Sequence, residues 1–252
     1  MSGAQSPLPS DDGGDRSSSA EVARIRSVYA KYTLRDRGDP ERSRRPGRQR
    51  MVRDRDMALC RLLDQEVVRP LSRYRILDLG CGRGDLIERL QHFGFPDGSL
   101  SGVDLLPDSL AAAARKCPSV SFMEANAERL PFPGQRFNFV LAFTVFSSIL
   151  DPVMAGNVAR EIDRVLVPDG AVIWYDMRYP NPWNGNIRAM TKQRIQSLFP
   201  DYRLELHAKT LIPTVAYRLG PLTNTLYPAL VRFPAFRSHY FGLLRKPPPA
   251  AT

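Results

Sequence analysis

The sequence predicts a doubly wound α/β domain, with a mostly parallel sheet covered by helices on both faces. Three observations predict it. Between residues 75 and 176, short apolar strands alternate with helical stretches, the pattern of strands joined by crossover helices. The first of these strands runs into a turn with glycine at 80, 82 and 84 before the next helix, a strand–turn–helix junction built for close ligand approach. The chain's 252 residues, 43% of them hydrophobic and 25% charged, can bury one sizeable core.

The elements follow in order. Residues 1–19 are Ser-, Gly-, Asp- and Pro-rich with almost nothing to bury, and read as a disordered tail. Residues 20–32 carry Val22, Ile25, Val28 and Tyr29 at three- and four-residue spacing, a helix. From 31 to 55 there are ten Lys/Arg against four Asp/Glu, and the stretch 40–48, with Pro40, Pro46 and Gly47, reads as a mobile basic loop. Residues 20–55 are therefore expected to form an N-terminal helix and basic loop, acting as a lid over a main domain at 56–252. That domain opens with a helix bearing Leu59, Leu62, Leu63 and Val67 and stopping before Pro70.

Strands are then expected at 75–79, 100–104, 120–123, 137–143 and 171–176. Helices are expected at 85–92 and 107–115, and from Pro152 to about 165 with Asp151 as N-cap. The last third departs from strict alternation: a Pro/Asn loop at 178–186, a short helix ending at Pro200, a strand at 202–206 and a final strand at 239–245. Between these two strands lies an apolar insertion at about 213–237.

Composition narrows the function classes. Cys60, Cys81 and Cys117 are widely spaced with no CxxC pair, which argues against a disulfide scaffold or a zinc module and fits a reducing compartment. No metal site is expected. The longest apolar stretch, 139–150, is interrupted by Thr144, Ser147 and Ser148 and is well short of the ~20 residues a bilayer requires. No basic segment followed by an apolar run opens the chain, so a soluble, cytoplasmic protein is expected. The formal net charge of +10 raises nucleic acid as a partner class.

The glycine turn carries the most chemistry. It is not the dinucleotide pattern G-x-G-x-x-G, because the third glycine comes one residue early and Asp85 follows it. Carboxylates at 78 and 85 suit a cationic ligand better than a pyrophosphate. Twenty residues past Gly84 the second strand ends in Asp104, placed to accept hydrogen bonds from both hydroxyls of a ribose.

These residues resemble the class I S-adenosylmethionine-dependent methyltransferases. The resemblance rests on Asp78-Leu-Gly-Cys-Gly-Arg-Gly84, Gly102-Val-Asp104, Ala127-Glu-Arg-Leu-Pro-Phe132 and Arg164-Val-Leu-Val-Pro-Asp-Gly170, in that order. It implies a Rossmann-like sheet of seven strands, mostly parallel with the last antiparallel, and S-adenosylmethionine as cofactor with S-adenosylhomocysteine as product. Carried over by residue, it puts the methionine end on Asp78, Gly80 and Gly82 within the loop that also holds Cys81 and Gly84. Asp104 takes the ribose, Leu105 packs on the adenine, and Asn126 with Ala127 meets the adenine edge. Phe143 and Thr144 lie beside the sulfonium. Asn126 and Asn138 stand where aspartate is commoner; Asn126 retains an amide oxygen that can accept from the adenine amino group. The Cys81 thiol reads as a small packed group and not a nucleophile.

The acceptor side is less defined. The Asn-Pro-Pro-Tyr type of motif tied to amide and base nitrogen methylation is missing after the fourth strand, which continues Phe143-Thr-Val-Phe146. The implied antiparallel last strand brings its first residue, His239, to the rim near Asp176 and Arg178, making it the candidate general base. Tyr29 and Tyr32 are expected to close over the site. Arg178, Asn181, Trp183 and Asn184 form a polar, aromatic rim suited to a hydroxylated small molecule, as in bacterial methyltransferases of glycan and natural-product tailoring. Small-molecule methyl transfer at oxygen or nitrogen therefore ranks first. RNA methylation through the basic segment, peptide or protein methylation, and a non-catalytic cofactor-binding partner protein follow. The apolar segment 213–236 is read first as a substrate lid, with dimer contact or membrane-surface contact as alternatives.

Overall fold

The computed structural model describes residues 12–39, 41–181 and 184–248. Its centre is a seven-stranded sheet in the order β3-β2-β1-β4-β5-β7-β6. The strands are β1 (Ile76–Leu79), β2 (Leu100–Asp104), β3 (Ser121–Glu124), β4 (Phe137–Phe143), β5 (Leu166–Met177), β6 (Arg203–Leu211) and β7 (Arg237–Arg245). Pairing is parallel from β3 through β5. β7 runs antiparallel between β5 and β6, with His239 opposite Met177 on one side and Lys209 on the other. The order reverses at β1, so the chain leaves β1 and β4 in opposite directions and opens a crevice at their carboxyl ends.

Nine α-helices flank the sheet among the described residues: α1 (Asp12–Gly38), α2 (Glu41–Arg44), α3 (Pro46–Glu66), α4 (Asp85–Phe93), α5 (Pro107–Lys116), α6 (Pro152–Val165), α7 (Lys192–Leu198), α8 (Pro213–Ala216) and α9 (Thr223–Leu230). The central strands are buried on both faces, as β1 and residues 139–143 of β4 illustrate. One face packs Leu77, Val140 and Val172 against α6, and the other packs Ile76, Leu141 and Ile173 against α3 and α4. Asp151 caps α6 by accepting from the Val153 amide at 2.7 Å, with Pro152 at the first helical position.

The N-terminal region differs from the sequence reading. Residues 12–19, expected within the disordered tail, belong to α1, which also extends past residue 32 to Gly38; residues 1–11 lie outside the described residues. The expected mobile basic loop is largely helical, forming α2 and the first turns of α3. The reason is local. Pro46 occupies the start of α3, where its missing N–H costs nothing, and Gly47 lies against the backbone of α8: a Cβ there would sit 1.8 Å from the Ala216 carbonyl oxygen. The pair that looks like a loop breaker is a helix start packed backbone to backbone on the insertion. That insertion is itself built from α8, α9 and short single turns.

Candidate active site

The glycine turn after β1 is held open by its own backbone. Gly80, Gly82 and Gly84 take φ of 70°, 52° and 77°, a region that side chains disfavour. The amides of Gly80 and Cys81 donate to the Val103 carbonyl at 2.8 and 2.9 Å, tying the turn to β2. A Cβ on Gly82 would meet nothing within 4 Å and would project into open space, whereas one on Gly84 would press on Ala113 Cβ at 3.1 Å. Gly82 thus leaves room for a ligand, and Gly84 lets α4 and α5 approach. Cys81 is buried and burial pushes its thiol pKa up, so it is a packed thiol.

Asp104 ends β2 with both carboxylate oxygens in use. Oδ2 accepts from the Gly82 amide at 2.8 Å and Oδ1 from the Leu106 amide at 2.9 Å. Burial raises its pKa while these amides oppose the rise. A carboxylate oxygen has lone pairs to spare, so Asp104 is oriented and still able to accept from a diol. Gly80, Gly82, Asp104, Leu105, Ala127, Phe143 and Thr144 line one cavity, with Tyr29 of α1 across it.

Four expected cofactor residues stand apart from that wall: Cys81 and Gly84, packed as described, and Asp78 and Asn126. Asp78 lies beneath the turn, 1% exposed, and its Oδ2 has no hydrogen-bond partner among the described residues. Desolvation pushes its pKa up to about 8, with the positive charge of Arg55 on α3 opposing the rise. Asn126 closes a local turn: its Oδ1 accepts from the Glu128 amide at 3.1 Å and its Nδ2 donates to Glu128 at 3.0 Å. This turn fixes the side chain while its Oδ1 keeps a second lone pair, the one an adenine amino group would need.

A second cavity adjoins the first, sharing Ile25, Tyr29, Thr144 and Ser148 with it. Tyr32, Asn181, Asn184, Tyr217 and His239 are among its other lining residues. Thr144 at the junction has φ of 57°, an outlier for a β-branched residue, and is pinned by its amide donating to the Tyr175 carbonyl at 2.7 Å. Tyr29 OH lies 2.8 Å from Ser148 Oγ, and the Asn184 amide donates to Tyr32 OH at 3.0 Å. Glu21 holds α1 over both cavities: it pairs with Arg24 at 2.8 Å and accepts from the Leu150 amide at 2.6 Å. Arg178 does not line the cavity. Its guanidinium lies 4.3 Å from the centre of the Tyr179 ring and 5.4 Å from that of Tyr240. Trp183 lies outside the described residues.

His239 reaches the second cavity in an unexpected state. It is 5% exposed, its Nδ1 lies 2.9 Å from both Thr210 Oγ1 and Ser238 Oγ, and its ring stacks on Tyr175 at 4.4 Å. Burial, and secondarily the charge of Arg55, lower its pKa to about 3. The ordinary imidazole pKa assumed for a general base is not met; burial keeps the ring neutral and makes it a poor proton acceptor.

Sequence reasoning missed Arg55 and placed Asp176 at the rim without giving it a role. Arg55 pairs with Asp56 at 2.7 Å and lies 5.7 Å from the centre of the Phe143 ring. It falls within a run of arginines, where nothing in the sequence marks one as turned inward. Asp176 is fully buried at the end of β5, accepts from the Ser147 and Met177 amides at 2.9 and 2.8 Å, and is raised to about 6 by burial. It fixes the segment after β4 that both cavities share.

Comparison with known proteins narrows the assignment. Residues 76–170 match the family described as "Methyltransferase domain". Over those residues the chain is similar to methyltransferase domains. The chain is 33% identical over 114 residues to the ubiquinone biosynthesis O-methyltransferase of Azorhizobium caulinodans, covering 44% of this chain and 43% of that protein. Against the 2-phytyl-1,4-naphtoquinone methyltransferase of a Nostoc species, identity is 30% over 166 residues, 63% of this chain and 65% of the relative. The matches thus span less than two thirds of these relatives' lengths. Among solved structures, a Methanosarcina mazei S-adenosylmethionine-dependent methyltransferase superposes with a TM-score of 0.52 at 17% identity, over 72% of this chain and 98% of that one. The cyclase SpnF superposes with a TM-score of 0.58 at 19% identity, over 76% and 81%. A cyclase on the same fold means the fold of the methyltransferase domain does not by itself fix the reaction.

Proposed function

We propose that this chain transfers a methyl group from S-adenosylmethionine in the first cavity to a small, ring-bearing acceptor in the second. The observation that carries the reading is the junction of the two cavities at Thr144, where an acceptor in the second would meet the methyl end of a cofactor lying along the glycine turn in the first. The residues fit the cofactor. The unpaired Oδ2 of Asp78, beneath the turn, would meet the α-ammonium with loss of the carboxyl proton, the space beside Gly82 admits the backbone-hugging methionine portion, and Asp104 is held by backbone amides with lone pairs left for a ribose diol. S-Adenosylmethionine, when bound, supplies an electrophilic methyl on a cationic sulfur.

What the protein contributes is alignment and dryness. Tyr29 and Ile25 of α1 roof both cavities, and Glu21 fastens that helix to the start of α6, so bulk water is excluded while the acceptor is held. Tyr32, Asn181, Asn184 and Tyr217 present aromatic faces and carboxamides to a ring with polar substituents. With His239 neutral and tied up, the reading favours an acceptor oxygen or nitrogen acidic enough to lose its proton without a strong protein base. The lipid-quinone relatives methylate ring systems of that general kind according to their names, which supports a ring-bearing class without identifying the molecule.

The RNA reading has less support. Arg44, Arg45 and Arg50 of the basic segment are already paired with Glu41, Asp39 and Asp54 at 3.0–3.1 Å. A screen of hydroxylated aromatic and quinol acceptors with methyl-labelled cofactor, read by mass, tests the proposal. Label in at least one small acceptor supports it; label only in RNA or protein overturns it.

A further inference from the structure

Outside the two cavities, one surface stands out by its chemistry. Of nine large hydrophobic side chains exposed among the described residues, four belong to the insertion between β6 and β7: Leu222 (57%), Leu226 (38%), Phe233 (60%) and Phe236 (36%). The Phe233 and Phe236 rings pack edge to face at 6.4 Å, yet both remain open to solvent. Apolar groups concentrated in this way mark a contact surface, whereas scattered ones need no explanation.

Within the insertion itself the charge has one sign, Asp54 of α3 being the carboxylate that acts on it from beneath, at Tyr227. Between residues 206 and 240 there is no aspartate or glutamate, while Lys209, Arg218, Arg232 and Arg237 are present. The helix packed beneath the insertion is α3, whose first half is the arginine-rich part of the chain. Exposed leucine and phenylalanine side chains in a segment whose only charged residues are basic are the composition of an element that lies in a membrane interface. The segment is also continuous with the proposed site, since Pro213 and Tyr217 at its start line the second cavity.

We infer that the insertion is a docking face for an anionic lipid bilayer. Leu222, Leu226, Phe233 and Phe236 enter the boundary of the acyl region, and Arg218 and Arg232 meet lipid phosphates. The charge selects this occupant over others. A second copy binding through the same patch would set arginine against arginine across a two-fold axis. RNA would use the arginines but leave the leucines in water. No described helix is long and apolar enough to cross a membrane, so the contact is peripheral. Because Pro213 and Tyr217 at the start of the insertion line the second cavity, docking here would bring that cavity close to the bilayer, a route for an apolar acceptor; that last point alone rests on the proposed function.

Co-sedimentation of the full chain with vesicles tests the inference. One set is phosphatidylcholine alone and the other an equal mixture with phosphatidylglycerol. The wild type is expected on the mixed vesicles at least about tenfold more tightly than on phosphatidylcholine, and more weakly as salt rises. Leu222→Ser with Phe233→Ser, and separately Arg218→Gln with Arg232→Gln, should each lower mixed-vesicle binding about tenfold. All four side chains lie outside both cavities, so S-adenosylhomocysteine affinity in each variant reports that it is folded. Three results overturn the inference: no wild-type binding, equal binding by the wild type and both folded variants, or a wild-type dimer that the Leu222/Phe233 variant splits while no vesicle binding occurs.

Discussion

The amide of Gly82 donates to the carboxylate of Asp104 at 2.8 Å, so the turn that receives the cofactor and the group that would hold its ribose are one hydrogen-bonded unit. Removing the carboxylate loses the ribose contacts and frees the turn. Asp104→Ala is expected to weaken S-adenosylhomocysteine binding by about 2–3 kcal/mol, from hydrogen bonds to a charged acceptor. Calorimetric titration checks this; unchanged affinity would remove Asp104 from the site.

Gly82→Val tests the space rather than the charge. Its φ of 52° disfavours any branched side chain, and the added atoms would occupy the volume left open beside the turn. Binding of S-adenosylhomocysteine should become undetectable by the same titration while the far-ultraviolet circular dichroism stays native. A variant that still binds would show that the ligand does not lie along this turn.

His239 is expected to act on stability and not as a base. His239→Ala should leave the shape of the turnover–pH profile as it is in the wild type, because the ring stays neutral and any acid limb at about 6 belongs to Asp176. The imidazole's folded pKa of about 3 lies below the unfolded value, so between these two the unfolded chain binds the proton and the folded one does not. The stability this residue contributes is complete above about 6.5 and is lost as pH falls toward 3. His239→Ala should lower stability at pH 7 by about 1–3 kcal/mol through lost packing and unpaired hydroxyls on Thr210 and Ser238. Urea unfolding with parallel turnover assays separates the roles: a stable variant with turnover reduced a hundredfold would restore His239 as a base.

Asn184 belongs to the acceptor side. Its amide donates to Tyr32 OH at 3.0 Å, bridging α1 to the loop after β5. Asn184→Ala is expected to raise the acceptor KM several-fold, about 1 kcal/mol for one hydrogen bond, with S-adenosylhomocysteine affinity unchanged. Equal losses for both ligands would instead mean that α1 no longer closes.

Much of this arrangement was legible in the residues. The glycine spacing, the Asp104 offset and the Asp151-Pro152 cap are local rules, and β2, β4 and α6 lie where those rules put them. The misreadings share a cause. Pro46 and Gly47 look like loop residues until α8 is packed on them, and their role depends on a contact about 170 residues away. His239 looks like a free strand-end imidazole until Tyr175, Thr210 and Ser238 enclose it. Arg55 escapes notice for the same reason: which side chain of an arginine run turns inward depends on neighbours that no periodicity encodes.

The central claim, that the glycine turn receives the methionine end of S-adenosylmethionine, is tested most directly by counting protons. Asp78 is raised to about 8, so in the free protein at pH 7 it holds its proton. An α-ammonium beside Oδ2 favours the carboxylate and drives that proton out. Calorimetric titration of S-adenosylhomocysteine at pH 7, in two buffers of different ionisation enthalpy, should therefore show close to one proton released per ligand bound. Asp78→Asn should bind more weakly and release none. Binding without proton release in the wild type, or the same affinity and proton count in Asp78→Asn, would contradict the account.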